Sequence, residues 1–295
     1  MDLGFTLNEY NACIANFKIN GSQCIVCWYV DDNKISHKDP RVVEWVIKEL
    51  EKRFNKMTVT RGKEHSFVGM GIIFRNDKTF EITMKEYLRE SIDAFDETIS
   101  KSAQTPAKGN FFDEDNKEDK EKLQEAEAEM FHRIVAKLLY VSKRARPDID
   151  LAVSFLCTRV ADPTKGDKKK LKRLLYYVNE TINIVRIIRT NGNDVLQTWV
   201  DASYAVHRDM RSHTGATMSL GHGIIHHRSE KQKLNTKRST EAELVGASEY
   251  IGWTLFVKWF LEKQGYDLER NIFYQHNESA MKLEQKGRAS CSNKF

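Results

Sequence analysis

Residues 23–36 read QCIVCWYVDDNKIS. The run from Gln23 to Val30 is apolar and rich in β-branched and aromatic side chains, which is strand chemistry. Asp31-Asp32-Asn33 interrupts it and 34–37 resumes, so the spacing predicts a hairpin with two carboxylates at its tip. Adjacent carboxylates repel unless something positive neutralises them. Two divalent cations about 3.5–4 Å apart would do so, and such a pair drives in-line displacement at phosphorus. The same residues also read as an ordinary polar turn, and spacing alone leaves both readings open.

Downstream, Asp39-Pro40 predicts a helix N-cap followed by Pro at the first helical position. Val42, Val43, Val46, Ile47, Leu50 and Phe54 then recur at helical spacing. Strands are predicted over 66–74 (SFVGMGIIF) and 79–84, with a short helix near 86–95. Residues 97–120 are polar and include Thr105-Pro106 and Gly109-Asn110, which predicts a linker. Helices follow over about 121–145, 147–160 and 163–180. A second α/β unit begins near 195. Its expected strands are 195–201, 214–220, 223–228 and 271–275, with a helix over 239–264 and a helix start at 278. Leu244, Ile251, Leu255, Phe256, Trp259 and Phe260 cover nearly every side of the long helix, so burial is expected for it.

The chain has 295 residues, 40% hydrophobic and 30% charged, with 15 Gly and 4 Pro, which excludes collagen-like and Pro-rich classes. Its longest apolar run, Cys24 to Val30, is far shorter than the roughly 20 residues a membrane helix needs. Neither a membrane span nor a signal peptide is read, and five scattered cysteines fit a reducing, intracellular setting. Cys24 and Cys27 stand as CxxC, but three positions apart on a strand they point to opposite faces. The five histidines among 207–227 read as ordinary strand and turn residues.

The formal net charge is only +5, but the distribution is uneven. Residues 113–129 hold nine acidic and three basic side chains, whereas 163–173 hold six basic and one acidic. Lys168, Lys169, Lys170, Lys172 and Arg173, with Lys143, Arg144 and Arg146, could follow a sugar-phosphate backbone by salt-sensitive contacts. A solvated basic helix face is the alternative.

Seven stretches, in order, resemble the polymerase and ribonuclease H region of a copia-type retrotransposon polyprotein. They are CWYVDDNKISH at 27–37, FVGMGI at 67–72, AKLLYVSKRARPDI at 136–149, WVDASYAVH at 199–207, RSHTGATMS at 211–219, KQKLNTKRSTEAELVGAS at 231–248 and NESAMKLEQKGRASCSNK at 277–294. The resemblance implies RNA-directed DNA synthesis and cleavage of RNA in a hybrid, with Mg²⁺ as cofactor. Its implied partners are an RNA–DNA hybrid or template–primer duplex.

By this resemblance Asp31 and Asp32 match two of three polymerase carboxylates, and FVGMGI matches a primer-holding strand. The third carboxylate is expected on an earlier strand, which is not found before Tyr29. Asp201 and Glu243 match the first two ribonuclease H carboxylates. Glu241 lies two residues from Glu243, and periodicity does not choose between them. His276 stands where the third, an Asp, is expected, and the fourth is expected beyond Phe295. Imidazole is neutral, monodentate and unable to bridge two hard cations.

The expectation is an α+β chain in three parts. Residues 1–96 form a partial polymerase palm, 97–190 a linker and helical thumb or connection, and 191–295 an incomplete ribonuclease-H-like α/β domain. Expected metal contacts are Asp31, Asp32, Asp201 and Glu243, with catalysis impaired. A non-catalytic nucleic-acid-binding relic is the rival reading.

Overall fold

A computed structural model describes residues 3–109, 111–112, 117–192 and 194–286. Strands β1 (Thr6–Asn8), β2 (Asn11–Ile19), β3 (Ser22–Tyr29) and β4 (Asp32–Ser36) form an antiparallel sheet in sequence order. The expected hairpin is β3–β4. Tyr29 pairs with Asp32, leaving Val30-Asp31 as a two-residue turn. Neither β1 nor β2 carries a carboxylate. Helix α1 (Pro40–Phe54) covers the sheet through Val42 and Val46 against Cys24. Asp39 caps it by accepting the Arg41 backbone N–H at 2.9 Å, a contact worth about 1 kcal/mol. Phe54, expected on the packed face, is exposed in the last turn of the helix.

The segment expected as one strand over 66–74 is a second hairpin, β5 (Glu64–Phe67) and β6 (Met70–Phe74). Val68 and Gly69 turn the chain at φ 51° and 71°. β7 (Phe80–Thr83) continues the meander, and α2 (Lys85–Asp93) follows.

Helices α3 (Glu125–Arg144), α4 (Asp150–Cys157) and α5 (Lys165–Glu180) build the largest core. Phe131, Ile134, Val135, Leu138 and Val141 of α3 meet Leu171, Leu174, Leu175 and Val178 of α5. α5 starts on a capping box in which Thr164 and Asp167 bond each other's backbone, both side chains buried. This core also takes in Ile82, Met84, Leu88 and Phe95, so packing crosses the boundary placed at residue 96. Part of the expected linker packs here too: Ala103 and Phe111 are buried, and Phe111 meets Phe155 edge-on.

Strand β8 (Arg186–Thr190) was not expected. It pairs antiparallel with β7 and, with the two-residue β11 (Gly221–His222), completes a five-stranded sheet ordered β11-β8-β7-β6-β5. The third sheet holds β9 (Val195–Ser203), β10 (His213–Ser219), β12 (His226–Lys231) and β13 (Arg270–Tyr274), ordered β12-β10-β9-β13. β13 runs parallel to β9, and the crossover to it is helix α6 (Ser239–Lys263); α7 (Glu278–Lys286) ends the described chain.

α6 packs Tyr250 on Leu196, Val200, Ala216 and Met218. Contact is close at Gly246, where a Cβ would stand 3.1 Å from Thr214 Cγ2. Contrary to expectation, α6 is not buried on every side: Ile251, Trp253 and Trp259 stay 48%, 40% and 43% exposed. The C-terminal half meets the β1–β2 hairpin instead, with Tyr10 stacked on Trp259 and Asn8 donating to the Phe260 carbonyl at 3.1 Å. Among the described residues, no helix is long and apolar enough to cross a membrane.

Candidate metal centre

The tip of the β3–β4 hairpin is strained. Val30, 80% exposed, sits at φ 53°, a region that disfavours β-branched residues. Asp32 Oδ2 lies 3.4 Å from the Val68 backbone N–H, so the two hairpin tips touch. The Tyr140 hydroxyl on α3 donates to the Val68 carbonyl at 2.9 Å and holds the second tip. Both Asp31 and Asp32 are exposed. Among the described residues, no third acidic or metal-binding side chain joins them.

Asp201, Glu243 and His276 do converge. β9 extends Asp201 from the sheet face opposite α6, the first turns of α6 bring Glu243, and His276 follows the end of β13. One ligand atom from each lies within 4.8 Å of the others, the only such group of His, Cys, Asp or Glu among the described residues. His276 Nδ1 is 3.7 Å from Asp201 Oδ1, and His276 Nε2 is 4.0 Å from Glu243 Oε1. Both separations exceed hydrogen-bond length.

Glu243 is 3% exposed, and burial, then the nearby Asp201 charge, raises its carboxyl above the usual glutamate range. Gln275 holds the site together. Its amide nitrogen donates to Glu243 Oε2 at 3.4 Å, while its Oε1 accepts the backbone N–H of His276 at 2.8 Å and of Asn277 at 3.1 Å. The Glu241 ambiguity resolves here: Glu241 accepts the Lys237 backbone N–H at 2.7 Å and lies outside the cluster.

The chain is 26% identical over 266 residues to the retrovirus-related Pol polyprotein from transposon TNT 1-94 of Nicotiana tabacum, covering 88% of this chain. It is 26% identical over 227 residues to a transposon Ty5-1 protein of Saccharomyces cerevisiae, covering 76% of this chain and 71% of that one. It is 23% identical over 244 residues to the transposon Ty1-DR1 Gag-Pol polyprotein of the same yeast, covering 78% of this chain. The chain is related to retrotransposon polyproteins. It spans 20% of the tobacco polyprotein and 14% of the Ty1 polyprotein. No family model and no solved structure matches it.

In this retrotransposon-related chain the cluster opens onto a cleft of about 840 Å³ between the C-terminal sheet and the start of α4. Trp199 and Tyr274 stack in it at 5.2 Å beside Asp201, a pair that the sequence reading missed. On the facing wall, Asp150 takes Lys143 Nζ at 2.8 Å and lies 3.6 Å from His227 Nε2. Burial holds the His227 imidazole down to about 4, so it is neutral at pH 7.

The basic residues fare differently from expectation. Arg146 is 1% exposed, bonded to Asp148 at 2.7 Å and to the Thr181 carbonyl at 3.0 Å, so it is a structural residue and makes no surface phosphate contact. Lys168 pairs with Asp96 and Glu127, both at 2.6 Å. Lys169 pairs with Asp119 and Lys172 with Glu97. Lys170 lies over the Phe155 ring at 5.1 Å, and Arg173 donates to Thr105 at 3.0 Å. Arg144 lies over Tyr140, 3.6 Å from the ring centroid. The acidic stretch and the basic stripe, read separately in the sequence, therefore neutralise each other in part. Lys233, Lys237 and Arg238, in the loop leading into α6, are exposed and closer along the chain to Glu243.

Proposed function

We propose that this chain is the reverse transcriptase palm, connection and ribonuclease-H-like portion of a copia-type polyprotein. In this copy the C-terminal unit holds RNA–DNA hybrid without the metal-dependent hydrolysis that the resemblance implies. The observation carrying the reading is the convergence of Asp201 and Glu243, 42 residues apart, with a histidine in the third position.

The residues present do not fit a pair of Mg²⁺ ions. Such a pair needs oxygen ligands that bridge, and His276 offers one neutral nitrogen at a time. Asp31 and Asp32 fare no better, with no third ligand beside them among the described residues. Binding is a separate matter. The stacked Trp199 and Tyr274 give a base or sugar a flat surface in the cleft, and the exposed Lys233, Lys237 and Arg238 supply positive charge in the loop that leads into the helix carrying Glu243. Their use would be independent of nucleotide sequence and weakened by salt.

A labelled RNA–DNA hybrid tests both halves. The expected result is salt-sensitive binding, weakened in Lys233→Ala/Lys237→Ala/Arg238→Ala, with no cleavage in Mg²⁺ above that of Asp201→Asn. Cleavage in Mg²⁺ that Asp201→Asn abolishes overturns the loss of hydrolysis. Binding that ignores salt and the triple substitution overturns the binding role.

A further inference from the structure

We propose that Asp201, Glu243 and His276 form a site for one divalent transition-metal ion of the Zn²⁺ and Co²⁺ type, which excludes Mg²⁺. This deepens the function proposed above and rests on its reading of the cluster as the cation site of the C-terminal unit.

Two carboxylates face one point, one of them buried, and among the described residues their neighbours are an amide, the Ala202 backbone and an imidazole rather than a lysine or arginine. A buried carboxylate without a cation is costly, and an ion at that point would remove the cost.

Spacing comes next. Zinc bonds nitrogen and oxygen at about 2.0–2.2 Å, which puts tetrahedral ligands about 3.4 Å apart. Counting one ligand atom per residue, and so one imidazole nitrogen, the three stand up to 4.8 Å apart, so closure around an ion needs rotations of the exposed side chains. Asp201 and His276 are both exposed and free to make that adjustment, whereas Glu243 is fixed by Gln275 and the helix.

Donor chemistry then selects the ion. One imidazole nitrogen and two carboxylate oxygens suit Zn²⁺, Co²⁺ and their neighbours, whose affinity for nitrogen exceeds that of Mg²⁺. Mg²⁺ demands near-octahedral oxygen ligation and sheds water reluctantly. Three protein donors also leave a fourth position on the cleft side, the pattern of an open zinc site. The backbone around His276 is braced for this, since Gln275 accepts two consecutive N–H groups there.

A rival arrangement uses the same atoms. The two carboxylates approach different ring nitrogens, so a protonated His276 could itself be the cation that bridges them. The two arrangements predict opposite effects of removing the imidazole.

The test titrates the purified chain with Co²⁺, reads the visible ligand-field bands, and then competes with Zn²⁺ or Mg²⁺. Nucleic acid is absent throughout. The expected result is one Co²⁺ per chain, displaced by Zn²⁺ and not by Mg²⁺ in large excess. Asp201→Asn and His276→Ala should each weaken binding by about tenfold or more, and His276→Asp should shift preference toward Mg²⁺. Both positions are exposed, so circular dichroism should show these variants folded. Unchanged or tighter Co²⁺ binding in His276→Ala overturns the proposal in favour of the imidazolium bridge. Displacement by Mg²⁺ as effective as by Zn²⁺ overturns it as well. Hybrid binding without a Co²⁺ site sinks this inference alone, and a Co²⁺ site without hybrid binding sinks only the nucleic-acid reading.

Discussion

In the β3–β4 hairpin two carboxylates meet because they are neighbours in the chain. At the mouth of the cleft two carboxylates and an imidazole meet although 42 and 33 residues separate them. The first arrangement is local, exposed and strained at Val30; the second needs a strand, a helix and a loop to be placed together, and one of its acids is buried. Exposed acids in a turn are solvated by water and demand little. A buried acid must either keep its proton or gain positive charge, which makes the distant set the more informative of the two.

Gly246→Val would drive side-chain atoms into Thr214 and push α6 off the sheet, costing about 1–3 kcal/mol. Thermal melting should show the loss. Co²⁺ binding should disappear with it, while amide exchange in β3 and β4 stays as it was. Equal loss of protection in β3 would mean that the two regions unfold as one.

Tyr140→Phe is the matching change on the hairpin side. It removes the bond to the Val68 carbonyl, about 1 kcal/mol, and loosens the turn that touches Asp32. Urea unfolding measures the cost, and the Co²⁺ titration should be unaffected.

Glu243→Gln sharpens the electrostatic contrast in the metal-free protein. Because the folded state holds this proton more tightly than the unfolded state, ionisation works against folding. The penalty is absent below the usual glutamate range, grows as pH rises through it, and is complete above the raised value. Glu243→Gln should therefore gain on the order of 1 kcal/mol near neutral pH and nothing in acid. Urea melts at the two pH values read the difference, and a gain that is the same at both would refute it.

The smallest effect is expected at Val30→Gly. Relief of the left-handed valine is partly offset by a more flexible unfolded chain, leaving a gain of about 0.5 kcal/mol or less. Paired melts should show it without any change at Asp201.

Local chemistry accounts for what was legible in the sequence. The hairpin at 23–36, the Asp39 cap and α1 follow from neighbouring residues, and the observed elements coincide with them. The turn at Val68-Gly69 was hidden because valine favours strands and seldom adopts φ 51°. β8 was missed since Ile187 and Ile188 are adjacent apolar residues without alternation, and their partner β7 lies about a hundred residues earlier. Arg146 read as a surface cation, yet Asp148, two residues on, folds back to bury it. The lysines of α5 read as a free stripe because their acidic partners come from other segments. Glu243 could be separated from Glu241 only once the Lys237 backbone had claimed the latter.

The late arrival of β8 has a consequence for synthesis. At the ribosome's pace of about 5–20 residues per second, the 103 residues from Thr83 to Arg186 take roughly 5–20 s to emerge. Throughout that interval β7 has an open edge that can pair with another nascent chain. The β1–β4 sheet pairs only consecutive strands within residues 6–36, so it can finish before β8 emerges. The five-stranded sheet must wait. Chaperone demand should therefore peak while α3–α5 are being made and fall once residue 190 has cleared the exit tunnel.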